Sequence, residues 1–129
     1  VNQVETHPFC QQVENAAWMK ENGIQIESWA PFAEGRNGLF QNEVLLSVAQ
    51  KHGKSVAQVV LRWLIQRGVV VIPKSVRRER IVENFEVFGF VLDGEDMTAI
   101  AALDLGKTSF LDHRDPETVK WLSGMKYDI

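Results

Sequence analysis

The feature that most constrains the fold is an unbroken run of four β-branched residues at positions 69–72. A strand with one face in water alternates apolar and polar residues, whereas a parallel strand covered on both faces does not. Pro73 ends the run, since proline cannot donate to a sheet. Parallel strands need crossover connections, which are usually helical. The run therefore predicts a buried parallel strand in an α/β fold.

A basic corner follows this strand. Lys74 and Ser75 stand at its carboxyl end, and residues 77–84 form a predicted helix whose first turn leaves backbone N–H groups unpaired. Helix amino termini with nearby cations bind phosphate groups. The side chains expected on the exposed side are Lys74, Arg77, Arg80 and Asn84. We expect Ile81 and Phe85, on the opposite side of the helix, to meet the core.

The distribution of charge narrows the class of ligand. The chain has a net charge of −3, yet residues 62–80 hold six basic side chains and one acid, Glu79. A scattered cation is usually only part of a solvated face, but clustering favours an anion site. A nucleic-acid surface would be broader and interleaved with aromatic residues. We therefore expect a small phosphorylated ligand and no nucleic acid.

Length and composition predict one globular unit. The chain has 129 residues, of which 45% are hydrophobic and 24% charged. No apolar run approaches the roughly 20 residues of a membrane span, so no membrane partner is expected. A single cysteine, Cys10, and no secretory signal favour a reducing cytoplasm. Because Val1 already belongs to a predicted strand, we expect a fragment of a longer polypeptide.

The remaining elements alternate along the chain. Strands are predicted at residues 1–6 and 24–29, and helices at 11–22, 42–52, 56–66 and from Asp93 onward. Ser55 and Gln58 have the spacing of a capping box before the third helix. Residues 1–102 thus form βα repeats within a single unit, and residues 103–129 form a tail with a short helix after Pro116. We expect this tail to fold over a pocket.

The absence of common nucleotide motifs indicates the architecture. There is no G-x-G-x-x-G, P-loop or nucleophile elbow, so the usual doubly wound signatures are missing. The other large parallel class is the (β/α)8 barrel of about 250 residues, with its chemistry at the strands' carboxyl ends. Since this chain has about half that length, we predict part of a TIM barrel, with about three parallel strands, flanking helices and a tail.

Four segments carry a family resemblance: NQVETHP at 2–8, IESWAPF at 26–32, LRWLIQRGVVVIPKS at 61–75 and RRERIVENF at 77–85. Together they resemble the C-terminal part of the aldo-keto reductases, in particular bacterial diketogluconate-reductase-like members. The resemblance extends over the whole chain. It implies that the chain is the C-terminal portion of a (β/α)8 TIM barrel, and that the barrel is an oxidoreductase which uses NADPH to reduce small aldehydes or ketones to alcohols.

The resemblance also implies a role for individual residues of the cofactor site. Gln3 would bind the nicotinamide carboxamide, and Trp29 would stack on the nicotinamide ring, where many members have tyrosine. The other expected contacts are Ala30, Pro31, Phe32 and Leu39 along the pyrophosphate, Ala57 beside the adenine, Lys74, Ser75, Val76 and Arg80 around the 2′-phosphate, and Glu83 and Asn84 at the adenine amino edge.

No catalytic residue or metal ligand is assigned. The family's catalytic Asp, Tyr, Lys and His lie on earlier strands that this chain does not contain. We therefore expect the chain alone to be inactive, and to require the N-terminal half of the barrel or to self-associate. The alternative is a stand-alone nucleotide-binding or assembly module without catalysis.

Two other enzymatic interpretations are weaker. Lys74, which has arginines nearby in the sequence, could form a Schiff base with a carbonyl compound, as in barrel aldolases. Glu5 and Glu27 on adjacent strands could act as paired carboxylates in sugar hydrolysis. Isolated acids in strands are more often structural.

Overall fold

Three parallel strands form the sheet in the computed structural model, which describes residues 1–126. They are β1 (Asn2–Glu5), β2 (Ile26–Trp29) and β3 (Val70–Val71), in the order β1-β2-β3 with β2 in the centre. Glu5 lies opposite Trp29, and Ser28 lies opposite Val71. The predicted parallel α/β arrangement is confirmed, and it brings the strands' carboxyl ends to one edge.

Helices alternate with and follow these strands along the chain. Those in residues 1–126 are α1 (Val13–Glu21), α2 (Glu43–His52), α3 (Val56–Gln66), α4 (Arg78–Phe85), α5 (Gly94–Ala101) and α6 (Pro116–Ser123). The segment after β2, Ala33–Gln41, is a kinked series of 3-10 turns. The predicted tail helix after Pro116 is present. None of the helices in this part of the chain is long and apolar enough to span a membrane.

Helix α3 forms the centre of the core. Val59, Val60 and Leu64 are fully buried, and Trp63 is 1% exposed. Burying each such side chain contributes about 1.5–3 kcal/mol. The helix begins where predicted, because Ser55 accepts a hydrogen bond from the Gln58 backbone N–H and completes the capping box. The position of α3 is therefore fixed both by burial and by its cap.

The predicted burial of the third strand is wrong. β3 comprises only Val70 and Val71, and although Val69 is buried, Val70 is 43% and Ile72 55% exposed. β3 is an edge strand that pairs only with β2 among the described residues. The apolar run was therefore right for a parallel strand but did not show that both faces are covered.

The predicted packing of α4 is also wrong. Ile81 and Phe85, expected to meet the core, are 54% and 76% exposed, and the helix has no buried residue. Within residues 1–126, α4 packs mainly against α3 on one side. Its apolar side borders an open groove of about 520 Å³ that also contains Phe88. The apolar pattern of a helix identifies a face but not its neighbour.

A cluster of charged residues joins α2 to α5. Lys51 donates to Asp93 at 2.6 Å and to Asp96 at 2.9 Å, while the Nε2 atom of His52 lies 2.7 Å from Asp96. Burial alone would raise the pKa of Asp96. Hydrogen bonds from His52, Lys51 and the backbone N–H of Asp93 outweigh that effect and lower this pKa to about 2, from an ordinary 3.8.

This cluster predicts a loss of stability in acid. A carboxyl group whose folded-state pKa is depressed stabilises the protein above its unfolded-state pKa and loses that contribution as the pH falls through the folded-state value. For Asp96 the window lies between about pH 4 and pH 2. Urea unfolding at these pH values should show Asp96→Asn removing up to about 2 kcal/mol of the pH dependence. Glu95→Gln on the same helix is the control, and an equal effect of both substitutions would contradict the assignment.

Candidate functional site

A groove of about 410 Å³ lies between the amino-terminal end of α3, the end of β3 and helix α4. Most of its lining had been predicted as cofactor-binding residues, and three further residues lie beside them. The predicted residues are Phe32, Ala57, Lys74, Ser75, Arg80, Glu83 and Asn84, and the additional ones are Phe40, Ser55 and Val56. Residues distant in sequence thus converge on one site, which we call the corner groove.

One side of the corner groove is cationic. Lys74 follows β3, and Arg80 lies in the first turn of α4. Neither is within salt-bridge distance of a carboxylate in residues 1–126. The N-cap residue of α4, Arg77, provides no side-chain acceptor for the N–H groups of the first turn. Two cations and a helix amino terminus without a side-chain cap make this side suitable for phosphate.

An acid and apolar residues complete the lining of the corner groove. Glu83 and Asn84 lie one turn further along α4 than Arg80, and Phe32 packs on Phe40 with ring centroids 5.8 Å apart. The Ser55 hydroxyl donates to Oε1 of Glu83. A ligand that fits these residues would have a phosphate near Lys74 and Arg80 and a flat ring with a hydrogen-bond donor near Glu83.

A second pocket, of about 500 Å³, lies at the carboxyl ends of β1 and β2 and contains Gln3 and Trp29. The Gln3 amide donates to Oε1 of Glu27 at 2.6 Å. Trp29 packs against Phe110 of the tail, with ring centroids 5.2 Å apart. The tail forms another wall through Thr108, Leu111, Asp112, His113 and Arg114. The expected folding of the tail over a pocket is seen here.

The tail joins β1 to the loop that follows β2. The backbone N–H of Ser109 and the hydroxyl of Thr108 both donate to the Glu5 carboxylate. From the loop, Arg36 donates to the Ser109 carbonyl at 2.8 Å, and its guanidinium lies 4.2 Å from the Phe110 ring centroid. Sequence analysis missed these tail residues, because contacts across about 70 to 100 residues leave no local pattern.

His7 also holds the Glu5 carboxylate, through the oxygen that accepts from Ser109. The His7 ring is fully buried, and its Nδ1 accepts from the Phe9 backbone N–H at 3.2 Å. The proton of the neutral ring is therefore on Nε2, which donates to Oε1 of Glu5 at 2.8 Å. Burial lowers the pKa of His7 despite the adjacent acid. With Glu5 enclosed and Glu27 bound to Gln3, both acids have structural partners, which disfavours the paired-carboxylate reading.

The other predicted cofactor residues are placed differently. Pro31 and Leu39 are buried, and Ala30 is half-buried with a left-handed φ of 50°. Val76 is 83% exposed. None of the four lines the corner groove or the second pocket. Residues 1–126 also contain no cluster of three His, Cys, Asp or Glu residues that could hold a metal ion.

Comparisons with known proteins show the family of this chain. The sequence profile of the Aldo/keto reductase family matches residues 1–105. Methylglyoxal reductase DkgA of Escherichia coli is 49% identical over 107 residues, which are 83% of this chain and 39% of that protein. Glyoxal reductase of Bacillus subtilis is 53% identical over 104 residues, 81% of this chain and 37% of that protein. The chain thus spans about two fifths of these relatives.

This chain is also similar to part of a solved structure. A mutant of the protein Gox0644, crystallised in complex with NADPH, is 43% identical with a TM-score of 0.79. The match covers 84% of this chain and 40% of that one. The three parallel strands and their helices therefore correspond to part of a larger barrel.

The contact between Trp29 and the tail predicts a spectroscopic effect. In Phe110→Ala, Trp29 loses the ring that covers it and becomes more exposed to water, so we expect tryptophan emission to shift to the red. Phe88→Ala removes an exposed ring that packs on Phe85 and should produce no shift. If the shift persists in Phe110→Ala combined with Trp29→Phe, it does not come from Trp29 and this packing is wrong.

Proposed function

Because this chain belongs to the aldo/keto reductase family, we propose that it is the NADPH-binding part of an oxidoreductase that reduces small aldehydes or ketones to alcohols. The observation that carries the proposal is the corner groove, where Lys74, Ser75 and Arg80 meet Glu83 and Asn84. NADPH differs from NADH by one phosphate on the adenosine 2′ position. A groove lined by both cations and an acid suits an adenosine that carries this phosphate.

The 2′-phosphate would lie against Lys74, Ser75 and Arg80. The planar guanidinium of Arg80 can bind two phosphate oxygens at once, while Lys74 acts as a point charge. The free N–H groups at the start of α4 add further donors. The adenine would lie beside Ala57, with its amino group directed at Glu83 and Asn84. Phe32 and Phe40 supply apolar surface on the same groove.

The nicotinamide would lie in the second pocket. We propose that Trp29 stacks on the ring and Gln3 binds the carboxamide, which requires Phe110 to move or to share the indole surface. Ala30, Pro31 and Leu39 would shape the backbone of the loop along the pyrophosphate, and Val76 would adjoin the phosphate. When bound, NADPH would supply the hydride that reduces the carbonyl carbon.

The proton for the reduced oxygen would come from outside this chain. Carbonyl reduction needs a donor within hydrogen-bond reach of the developing alkoxide. In the second pocket, Glu5 is engaged by the tail and by His7, so its carboxylate has no free role there. We therefore propose that the donor belongs to the remainder of the barrel.

We propose a reducing cytoplasm as the place of action. Cys10, the single cysteine of the chain, is a free and buried thiol.

Removing Arg80 tests the phosphate site. Calorimetric titration of this chain should show tighter binding of NADPH than of NADH. Arg80→Ala should lose about 1.5–3 kcal/mol toward NADPH, or about 10- to 150-fold, and leave NADH binding unchanged. Arg78→Ala removes the same charge from the same helix but outside the corner groove and is the matched control. Equal affinities of the unaltered chain for both dinucleotides would contradict the proposal.

Complementation tests whether the proton donor lies outside this chain. The purified chain should show no NADPH oxidation with methylglyoxal, because the proton donor is absent. Addition of a separately expressed polypeptide carrying the preceding strands of a related reductase should restore turnover. Turnover by this chain alone would overturn the proposal. NADPH binding without any restored turnover would favour the alternative, a nucleotide-binding module without catalysis.

A further inference from the structure

We propose that Ser55 is a positioning residue that sets the Glu83 carboxylate for recognition of a 6-aminopurine. The inference deepens the proposed function and rests on it. It assigns to the cap of α3 a second task, which is selection of adenine over a purine that carries a 6-oxo group. The capping box of α3 and the corner groove are thereby linked by the hydrogen bond from Ser55 to Glu83.

The hydrogen bonds of Ser55 leave its hydroxyl one orientation. Its Oγ accepts from the Gln58 backbone N–H at 3.2 Å, and this contact caps α3. The hydroxyl proton is donated to Oε1 of Glu83. Because a hydroxyl has one proton, donation to Glu83 and acceptance from Gln58 together fix its rotation.

Gln58 fixes the backbone beneath the same carboxylate. Gln58 is buried, with 7% of the residue exposed. The amide Nε2 donates to the carbonyls of Glu83 at 3.1 Å and Glu86 at 3.4 Å. Its Oε1 accepts from the Ser55 backbone N–H at 3.1 Å. The backbone and the side chain of Glu83 are thus both held by one capping box.

The carboxylate held in this way has one oxygen left for a ligand. Within residues 1–126, Oε2 of Glu83 has no hydrogen-bond partner, and Glu83 lines the corner groove beside Asn84. An ionised carboxylate only accepts hydrogen bonds. It therefore binds an exocyclic amino group and repels a carbonyl oxygen at the same place. Holding Glu83 before binding also avoids the entropy loss of ordering a flexible side chain.

The probes are NADP⁺ and its hypoxanthine analogue, which has a 6-oxo group in place of the 6-amino group. Calorimetric titration of the unaltered chain at pH 7 should show a preference for NADP⁺ of about tenfold or more, the value expected for one hydrogen bond to a charged group. Ser55→Gly keeps an acceptable N-cap residue but lacks the hydroxyl. This variant should reduce the preference to about threefold or less, whereas Ser55→Thr should retain it.

Two further variants separate positioning from stability. Glu83→Gln provides a donor as well as an acceptor and should abolish the preference. Asp115→Gly removes the N-cap side chain of α6, which lies outside the groove, and should leave the preference unchanged. A Ser55→Gly variant that melts earlier but keeps the full preference would show that Ser55 is only a cap, and would overturn the inference. Equal binding of both dinucleotides by the unaltered chain would overturn it while leaving the proposed function intact. Binding of neither would overturn both.

Discussion

The side chains of Ser55 and Gln58, at the start of α3, form hydrogen bonds both to the backbone of α3 and to Glu83 of α4. The corner groove depends on these hydrogen bonds. Burial of Val59, Val60 and Leu64 holds α3 in the core, and the Ser55–Gln58 capping box holds its first turn. The side chain of Gln58 also donates to the backbone carbonyls of Glu83, in α4, and of Glu86, the C-cap residue of α4. Since α4 has no buried residue of its own, these polar contacts orient a helix that apolar packing alone would leave loosely held.

Other surfaces of the chain remain without a neighbour in residues 1–126. The exposed side of α4 and the open edge strand β3 present apolar side chains such as Phe85 and Val70 to solvent. Exposed strand edges and apolar patches are sites where another chain or segment can pair. We propose that the remainder of a barrel, or a second copy of this chain, covers them, in keeping with a chain that spans about two fifths of its relatives.

Local sequence patterns predicted the helices, the strands and most of the lining of the corner groove. They did not predict how the helices and strands pack against one another. Helix α3 has the predicted bounds because a capping box at Ser55 and Gln58 marks its start and an apolar periodicity continues to Gln66. The residues around Lys74 and Glu83 could be predicted to line one groove, because they form one continuous segment that resembles a family motif. The exposure of Phe85 could not be predicted, since a sequence reveals an apolar face but not what covers it. The contact of Glu5 with Ser109 joins segments 104 residues apart, which no local pattern encodes.

The most direct test of the account is a nuclear magnetic resonance titration of the ¹⁵N-labelled chain with NADP⁺ and, separately, with NAD⁺. If the corner groove binds the adenosine 2′-phosphate, amide signals of residues 74–80 and the Arg80 side-chain N–H signal should shift with NADP⁺ and remain nearly unchanged with NAD⁺. Signals of Ala57 and Asn84, beside the adenine, should respond to both dinucleotides. Identical shifts with the two dinucleotides at residues 74–80, or shifts confined to residues outside the groove, would contradict the account.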